Sequence, residues 1–430
     1  MTTETDLIHL PRSSRVNSEG HLEVGGCDTV ELAAEFGTPA YVYAEDDVRS
    51  RAREYSEAFR ARTNDFEVVY ASKAASFVAV LRLLAEEGLS VDVASGGELH
   101  VALTAGVDPA RIYMHGNNKT EAELRMATKA GVGRIVCDSF DEIARLNALL
   151  DRPQEVMVRV TPGIKANTHS YIQTGQLDSK FGLGIEDGLA AEAIDAIRGA
   201  QNLQLVGLHA HIGSQIFELE PYVKTIEALG RLAEDTALTG DELRLLNVGG
   251  GLGIAYTADD DPPSIESYVD LKVEGVKRVF DPVPRLLVEP GRSLVGNAAV
   301  TLYEVGTVKE IPGVRTYVAV DGGMSDNLRP MLYDARYSAL IANRAADPPD
   351  THATIAGMHC ESSDVIVKDV ELAAPAVGDI LVTPATGAYG HAMANNYNGM
   401  TRPPVIFAKD GNARVVVRRE THEDLVSRDV

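Results

Sequence analysis

From about residue 67 onward the chain repeats one pattern: a short run of β-branched and aromatic residues, then a longer stretch with apolar positions three and four apart. The short runs predict strands at Val68–Tyr70, Val91–Val93, Ile112–Met114, Arg134–Val136, Val156–Val160, Leu205–His209, Leu243–Val248 and Leu286–Val288. Helical spacing follows most of them, including Ser76–Glu87, Gly97–Ala105, Lys119–Ala130, Asp141–Leu150 and Pro221–Thr236. Eight strand–helix units in series imply parallel pairing through right-handed crossovers. Closed on itself, such a series is a (β/α)8 barrel, with its chemistry at the carboxyl ends of the strands. An open doubly wound sheet is the alternative, and the first unit carries no Gly-x-Gly-x-x-Gly to favour it.

The pattern differs at both ends. Before residue 46, His21–Val24 alternates, Thr29–Phe36 has helical spacing, and Ala40–Tyr43 follows Pro39 as a strand. After about residue 297, strands are predicted at Ala298–Val300, Tyr303–Val308, Thr316–Val320, Val365–Val367, Ile380–Val382, Val405–Phe407 and Ala413–Val417, broken by Gly, Pro and Asp. The expected architecture is α/β plus all-β. It comprises a (β/α)8 TIM barrel over residues 46–296, and a β-sandwich or β-barrel domain over 297–430 completed by residues 1–45.

At 430 residues the chain is long enough for two domains. Apolar residues make up 45% and charged residues 24%, the balance of a globular protein with a large core. Its 40 Lys and Arg against 63 Asp and Glu leave a net charge of −23, which disfavours nucleic acid and anionic membranes as partners. An acidic substrate remains compatible where arginines are gathered locally. Met1–Ser14 lacks the apolar stretch of a secretory signal, and no run is long enough to span a bilayer. Cys27, Cys137 and Cys360 lie far apart without a Cys-x-x-Cys pair, which fits a reduced cytoplasm and argues against a structural zinc site.

The predicted strand ends carry unusual residues. The first strand runs through Glu67-Val68-Val69-Tyr70-Ala71-Ser72 to Lys73, which would put an amine at the barrel rim. Alone, that stretch reads as a lysine snorkelling at a strand end; in company it reads as an amine for attack on a carbonyl. The fifth strand carries Arg159, and Gly249-Gly250-Gly251 follows the seventh. Successive glycines let backbone N–H groups approach a phosphate, and Ser214 with Gly291-Arg292 could complete the cup. A lysine and a phosphate cup in one ring point to a phosphorylated aldehyde cofactor, pyridoxal 5′-phosphate. Glu289, after the eighth strand, is then the acid facing the pyridine nitrogen, and His211 a flat ring against the cofactor. Asp92 and Glu98 are either supports behind this site or acids at helix starts.

In combination these residues resemble a known family, the group IV (alanine-racemase-type) pyridoxal-phosphate-dependent decarboxylases, and within it the diaminopimelate-decarboxylase branch. The resemblance runs from Tyr70-Ala71-Ser72-Lys73 to Asn396-Tyr397-Asn398-Gly399. Between them stand Asp92-Val93-Ala94-Ser95-Gly96-Gly97-Glu98-Leu99, Thr168-His169 with Ser179-Lys180-Phe181-Gly182, and His209-Ala210-His211-Ile212-Gly213-Ser214-Gln215. Glu289-Pro290-Gly291-Arg292, Asp321-Gly322-Gly323-Met324-Ser325-Asp326, His359-Cys360-Glu361-Ser362 and Gly387-Ala388-Tyr389 complete the set.

The resemblance implies Lys73 as the Schiff-base lysine, His211 as the ring-stacking histidine and Glu289 as the pyridinium partner. It implies Ser214, Gly250, Gly251, Gly291 and Tyr389 as the phosphate and cofactor cup. Arg292, Arg329 and Tyr333 would hold a distal substrate carboxylate, Glu361 a distal ammonium, and Cys360 would return the proton from the neighbouring subunit of a homodimer. Racemases of this fold use arginine where Glu289 stands, so decarboxylation is implied, of meso-2,6-diaminopimelate to L-lysine. The alternatives are a decarboxylase of another basic amino acid and a non-catalytic regulator. The chain departs from the family pattern at Ala75, where Asn is usual, at Ser363 in place of a glycine, and at Thr386 and His391.

Overall fold

The computed structural model describes residues 9–164 and 179–430. These form two compact units: Arg51–Gly253 with Pro262–Gly291, and the chain up to Ser50 with Ile254–Asp261 and Arg292–Val430.

In the first unit eight parallel strands close into a barrel: β1 (Phe66–Ala71), β2 (Ser90–Val93), β3 (Ile112–Met114), β4 (Arg134–Cys137), β5 (Gln154–Thr161), β6 (Leu203–His209), β7 (Leu245–Asn247) and β8 (Arg285–Val288). The pair that rules out an open sheet is β8 with β1, in register from Leu286↔Phe66 to Val288↔Val68. Val69, Tyr113, Val136, Met157, Val206, Leu245 and Leu287, from seven of the eight strands, form one buried cluster in the barrel interior.

Helices follow the strands where the spacing predicts them, at Val78–Glu86, Gly96–Ala105, Glu121–Ala130, Phe140–Leu149 and Glu220–Asp235. Their starts are set by local chemistry. Ser95 Oγ accepts from Glu98 N at 3.2 Å, Ser139 Oγ from Glu142 N at 3.3 Å, and Thr120 with Glu123 forms a reciprocal capping box. Each such cap contributes about 1 kcal/mol. The helices Leu189–Arg198 and Ile265–Val279 supply two further crossovers.

The second unit is built on a nine-stranded sheet. Its spine is Ala299–Ile311, a single strand of 13 residues where two shorter ones were expected; a register shift between Val305 and Thr307, at Gly306, bends it without ending it. Ala40–Ala44 lies between this spine and Val405–Lys409, antiparallel to the first and parallel to the second. The N-terminal segment therefore supplies an interior strand of the sheet. Thr351–Ala356 is a further strand that the sequence pattern did not reveal. Among the described residues no helix is long and apolar enough to cross a membrane.

Candidate active site

The carboxyl ends of the barrel strands gather the expected residues, with one correction. Strand β1 ends at Ala71, and Lys73 sits in the following 3-10 turn, Ser72–Ala74. The ladder stops where Ala71 N donates to Pro290 O at 3.1 Å, and the turn is braced by Tyr70 OH donating to Ala75 O at 3.1 Å. Ser72 and Ala74 are buried while Lys73 is exposed, and its charge acts on the buried Asp92 and His211 of the same barrel end.

Glu289 follows β8 and is buried. Asn247 Nδ2, at the end of β7, donates to its Oε1 at 2.7 Å, and His209 Nε2, at the end of β6, is hydrogen-bonded to Oε2 at 3.0 Å. His115, just after β3, brings Nε2 to 3.0 Å from Oε1, off-line for a hydrogen bond. The two imidazoles meet edge to face at 4.8 Å. Burial works against the ionised carboxylate, but the two histidines and their contacts outweigh it and hold Glu289 well below the usual carboxylate range. Asp92, buried at the end of β2, goes the other way: burial, and then the Glu289 charge, push it well above that range. The two carboxyls at this barrel end are thus pushed in opposite directions, a pairing typical of acid–base sites.

His211 lies two residues beyond β6, and burial, then the Lys73 and Arg159 charges, press its pKa well below the usual value. Its neutral ring accepts from Gly250 N at 3.3 Å through Nδ1. The glycine run after β7 admits no side chain: a Cβ on Gly249 would come within 2.6 Å of Ala210 O, and one on Gly250 within 1.9 Å of Glu289 O. The Gly251 N–H has no acceptor among the described residues. A lysine amine beside buried Asp92 and His211, an anionic carboxylate braced by side chains of three strand ends or the residue after them, a neutral flat ring and a spare amide in a glycine turn fit a pyridoxal phosphate. Arg159, buried at the end of β5, stacks its guanidinium 4.3 Å from the Phe181 ring; Thr168-His169 of the same motif lies outside the described residues.

In the β-rich unit the two predicted arginines, both buried, converge on a tyrosine that the sequence reading missed. Arg292 Nη1 donates to Tyr256 OH, and its guanidinium lies 4.8 Å from the Tyr389 ring. Arg329 lies 4.6 Å from the Tyr256 ring and donates to Tyr337 OH at 2.6 Å. Tyr256 and Tyr337 pack edge to face at 5.0 Å. Tyr333 is half-buried at the end of the short helix Arg329–Tyr333. Cys360 and Glu361 are exposed on one loop, with Cys360 N donating to Asn398 Oδ1 at 3.0 Å. Behind them Asp364 ties the loop together: it bonds His359 Nδ1 at 2.8 Å and accepts from Met324 N at 2.7 Å, so two predicted motifs meet through one carboxylate.

The roles of Tyr256, His115 and Asn247 were hidden because their partners are remote in sequence, and that of Tyr337 because no pattern marks its bond to Arg329. His115 had one legible signal, its place directly after a predicted strand.

The pattern of the pyridoxal-dependent decarboxylase, pyridoxal binding domain, matches residues 45–296. The chain is 47% identical to the diaminopimelate decarboxylase of Bacillus subtilis (strain 168) over 432 residues, 98% of each chain. It is 46% identical to that of Halalkalibacterium halodurans over 426 residues, 97% of each. Among solved structures, diaminopimelate decarboxylase from M. jannaschii in co-complex with L-lysine superposes with a TM-score of 0.91 at 35% identity, covering 98% of both chains. With near full-length matches of this kind on top of the barrel and its strand-end residues, the chain belongs to the pyridoxal-dependent decarboxylase family, in the branch of the diaminopimelate decarboxylases.

Proposed function

We propose that the protein decarboxylates meso-2,6-diaminopimelate to L-lysine and CO2, using pyridoxal 5′-phosphate. The observation that carries this reading is the 47% identity to a diaminopimelate decarboxylase across 98% of both chains. The anionic Glu289 agrees with it, because a carboxylate facing the ring nitrogen keeps a proton there. When bound, the cofactor supplies the sink for the electrons released as the Cα–carboxylate bond breaks.

The chain's own residues then divide the work. Lys73 would hold the cofactor through its ε-amine. His211 would face the cofactor ring, with Asp92 supporting the site, and Ser214, Gly250, Gly251, Gly291 and Tyr389 would hold the phosphate. Arg292, Arg329 and Tyr333 take the substrate's far carboxylate and Glu361 its far ammonium; planar guanidinium groups suit that carboxylate. Cys360 donates the proton that replaces CO2 on the carbon. We place Cys360 in the site of a neighbouring copy, so the working form is a homodimer, in the cytoplasm. Residues 46–296 are the cofactor domain, and 1–45 with 297–430 the β-rich domain.

The test is product analysis. Protein incubated with pyridoxal phosphate and meso-diaminopimelate should release L-lysine and CO2 in equal amounts, and Lys73→Ala should release neither and lose the visible cofactor band. A Lys73→Ala protein that retained the band covalently would overturn the assignment.

A further inference from the structure

Lys272 is a lysine with no exposed surface at all, and none of the roles above uses it. It stands on the helix Ile265–Val279 behind the glycine turn that follows β7. Its Nζ donates to Val248 O at 3.0 Å, to Gly249 O at 3.1 Å and to Tyr268 OH at 2.6 Å. The ammonium also lies 4.2 Å from the Tyr222 ring and 4.1 Å from the Tyr268 ring. Tyr222 OH donates to Gly250 O at 3.0 Å and Tyr268 OH to Gly249 O at 3.2 Å. The three carbonyls from Val248 to Gly250 are therefore all turned toward one buried group of donors.

Orienting a carbonyl orients the amide that follows it, because the peptide unit is planar and trans. Fixing Gly249 O and Gly250 O on the Lys272 side directs the N–H groups of Gly250 and Gly251 to the opposite side, where Gly250 N meets His211 and Gly251 N has no acceptor among the described residues. An unbraced triple glycine would sample many conformations and lose that entropy on binding an anion. Burial drags the Lys272 ammonium well below the usual lysine range, opposed by the Glu289 charge. The two carbonyl bonds need only two N–H donors, so the brace works in either charge state.

We infer that Lys272, with Tyr222 and Tyr268, is a positioning residue that sets the glycine turn for the cofactor's phosphate. This rests on the pyridoxal-phosphate reading. It predicts a defect confined to the phosphate part of binding.

The experiment titrates full-length protein with pyridoxal 5′-phosphate and, separately, with unphosphorylated pyridoxal, following the visible absorbance. Wild type should bind the phosphorylated aldehyde far more tightly. Lys272→Met should weaken pyridoxal phosphate roughly 10- to 100-fold, the effect of leaving two buried carbonyls without their donor, and leave pyridoxal affinity within about twofold. Tyr222→Phe and Tyr268→Phe, which keep core volume, should each give a smaller loss of the same kind and serve where Lys272→Met does not fold. Equal losses for both aldehydes, or no loss for either, would overturn the positioning role while leaving the cofactor assignment standing. A wild type that binds neither aldehyde would overturn both.

Discussion

Glu289 illustrates how one residue's chemistry depends on neighbours that the chain brings from afar. A carboxylate after a barrel strand is legible in the sequence, but its anionic state is not, because the groups that hold it come from β3, β6 and β7. Glu289→Gln should keep pyridoxal phosphate bound and lower kcat by roughly 10²-fold or more, as expected when a preorganised charge at the reacting centre is removed; single-turnover kinetics on the saturated variant would check it. Arg329 gives the complementary case. Its position was predicted, yet the Tyr256 and Tyr337 partners that fix its guanidinium were not. Arg329→Met should cut kcat/KM for meso-diaminopimelate about 10- to 100-fold, mostly through KM, with cofactor affinity unchanged. An equal loss of cofactor would remove Arg329 from substrate recognition. Lys73 shows the limit at one residue: the sequence pattern runs without a break from strand into turn, and only the Ala71–Pro290 bond marks where the ladder stops.

At the scale of elements, legibility followed periodicity. Ile112–Met114 and Thr29–Phe36 matched their expected bounds because each has a clean repeat and a capping or turn residue beside it. The helix Glu45–Arg60 went unread because its many charged residues mask a stripe at helical spacing, Val48, Ala52, Tyr55 and Phe59, all fully buried. The strand Thr351–Ala356 is short and half polar; it pairs antiparallel with the next strand, Val365–Leu372, and parallel with the more distant Arg315–Val320, which no local pattern announces. The glycine turn after β7 was legible as a motif, whereas the buried brace behind it was not. Gly250→Ala tests the turn itself: its Cβ would meet Glu289 O at 1.9 Å, so the backbone must move. The expected outcome is a lower Tm together with loss of pyridoxal-phosphate binding, measured by thermal melts with and without cofactor.

For the whole molecule, the closed barrel was readable from eight repeats in series, but the interleaving of the chain was not. Residues Ile254–Asp261 belong with the β-rich unit, although they fall between β7 and β8. Tyr256 reaches the two arginines by that excursion, which no local pattern announces. Stability should also respond to acid as a global property. Burial pushes His115 and His391 down to about 4, while histidines of the unfolded chain titrate near about 6.5. The unfolded state binds more protons between those values, so the histidine contribution is complete above about pH 6.5 and falls as pH drops toward about 4. Cofactor-free protein should lose Tm across that window, and His391→Gln should lose less of it; parallel slopes for both would contradict the account. The most direct test of the central claim is CO2 release from meso-diaminopimelate, L-lysine, L-ornithine and L-arginine in parallel, on protein saturated with pyridoxal phosphate. The account predicts turnover of meso-diaminopimelate alone, because only that substrate offers a second carboxylate to Arg292 and Arg329. Turnover of a basic amino acid in its place, or of none of the four, would contradict it.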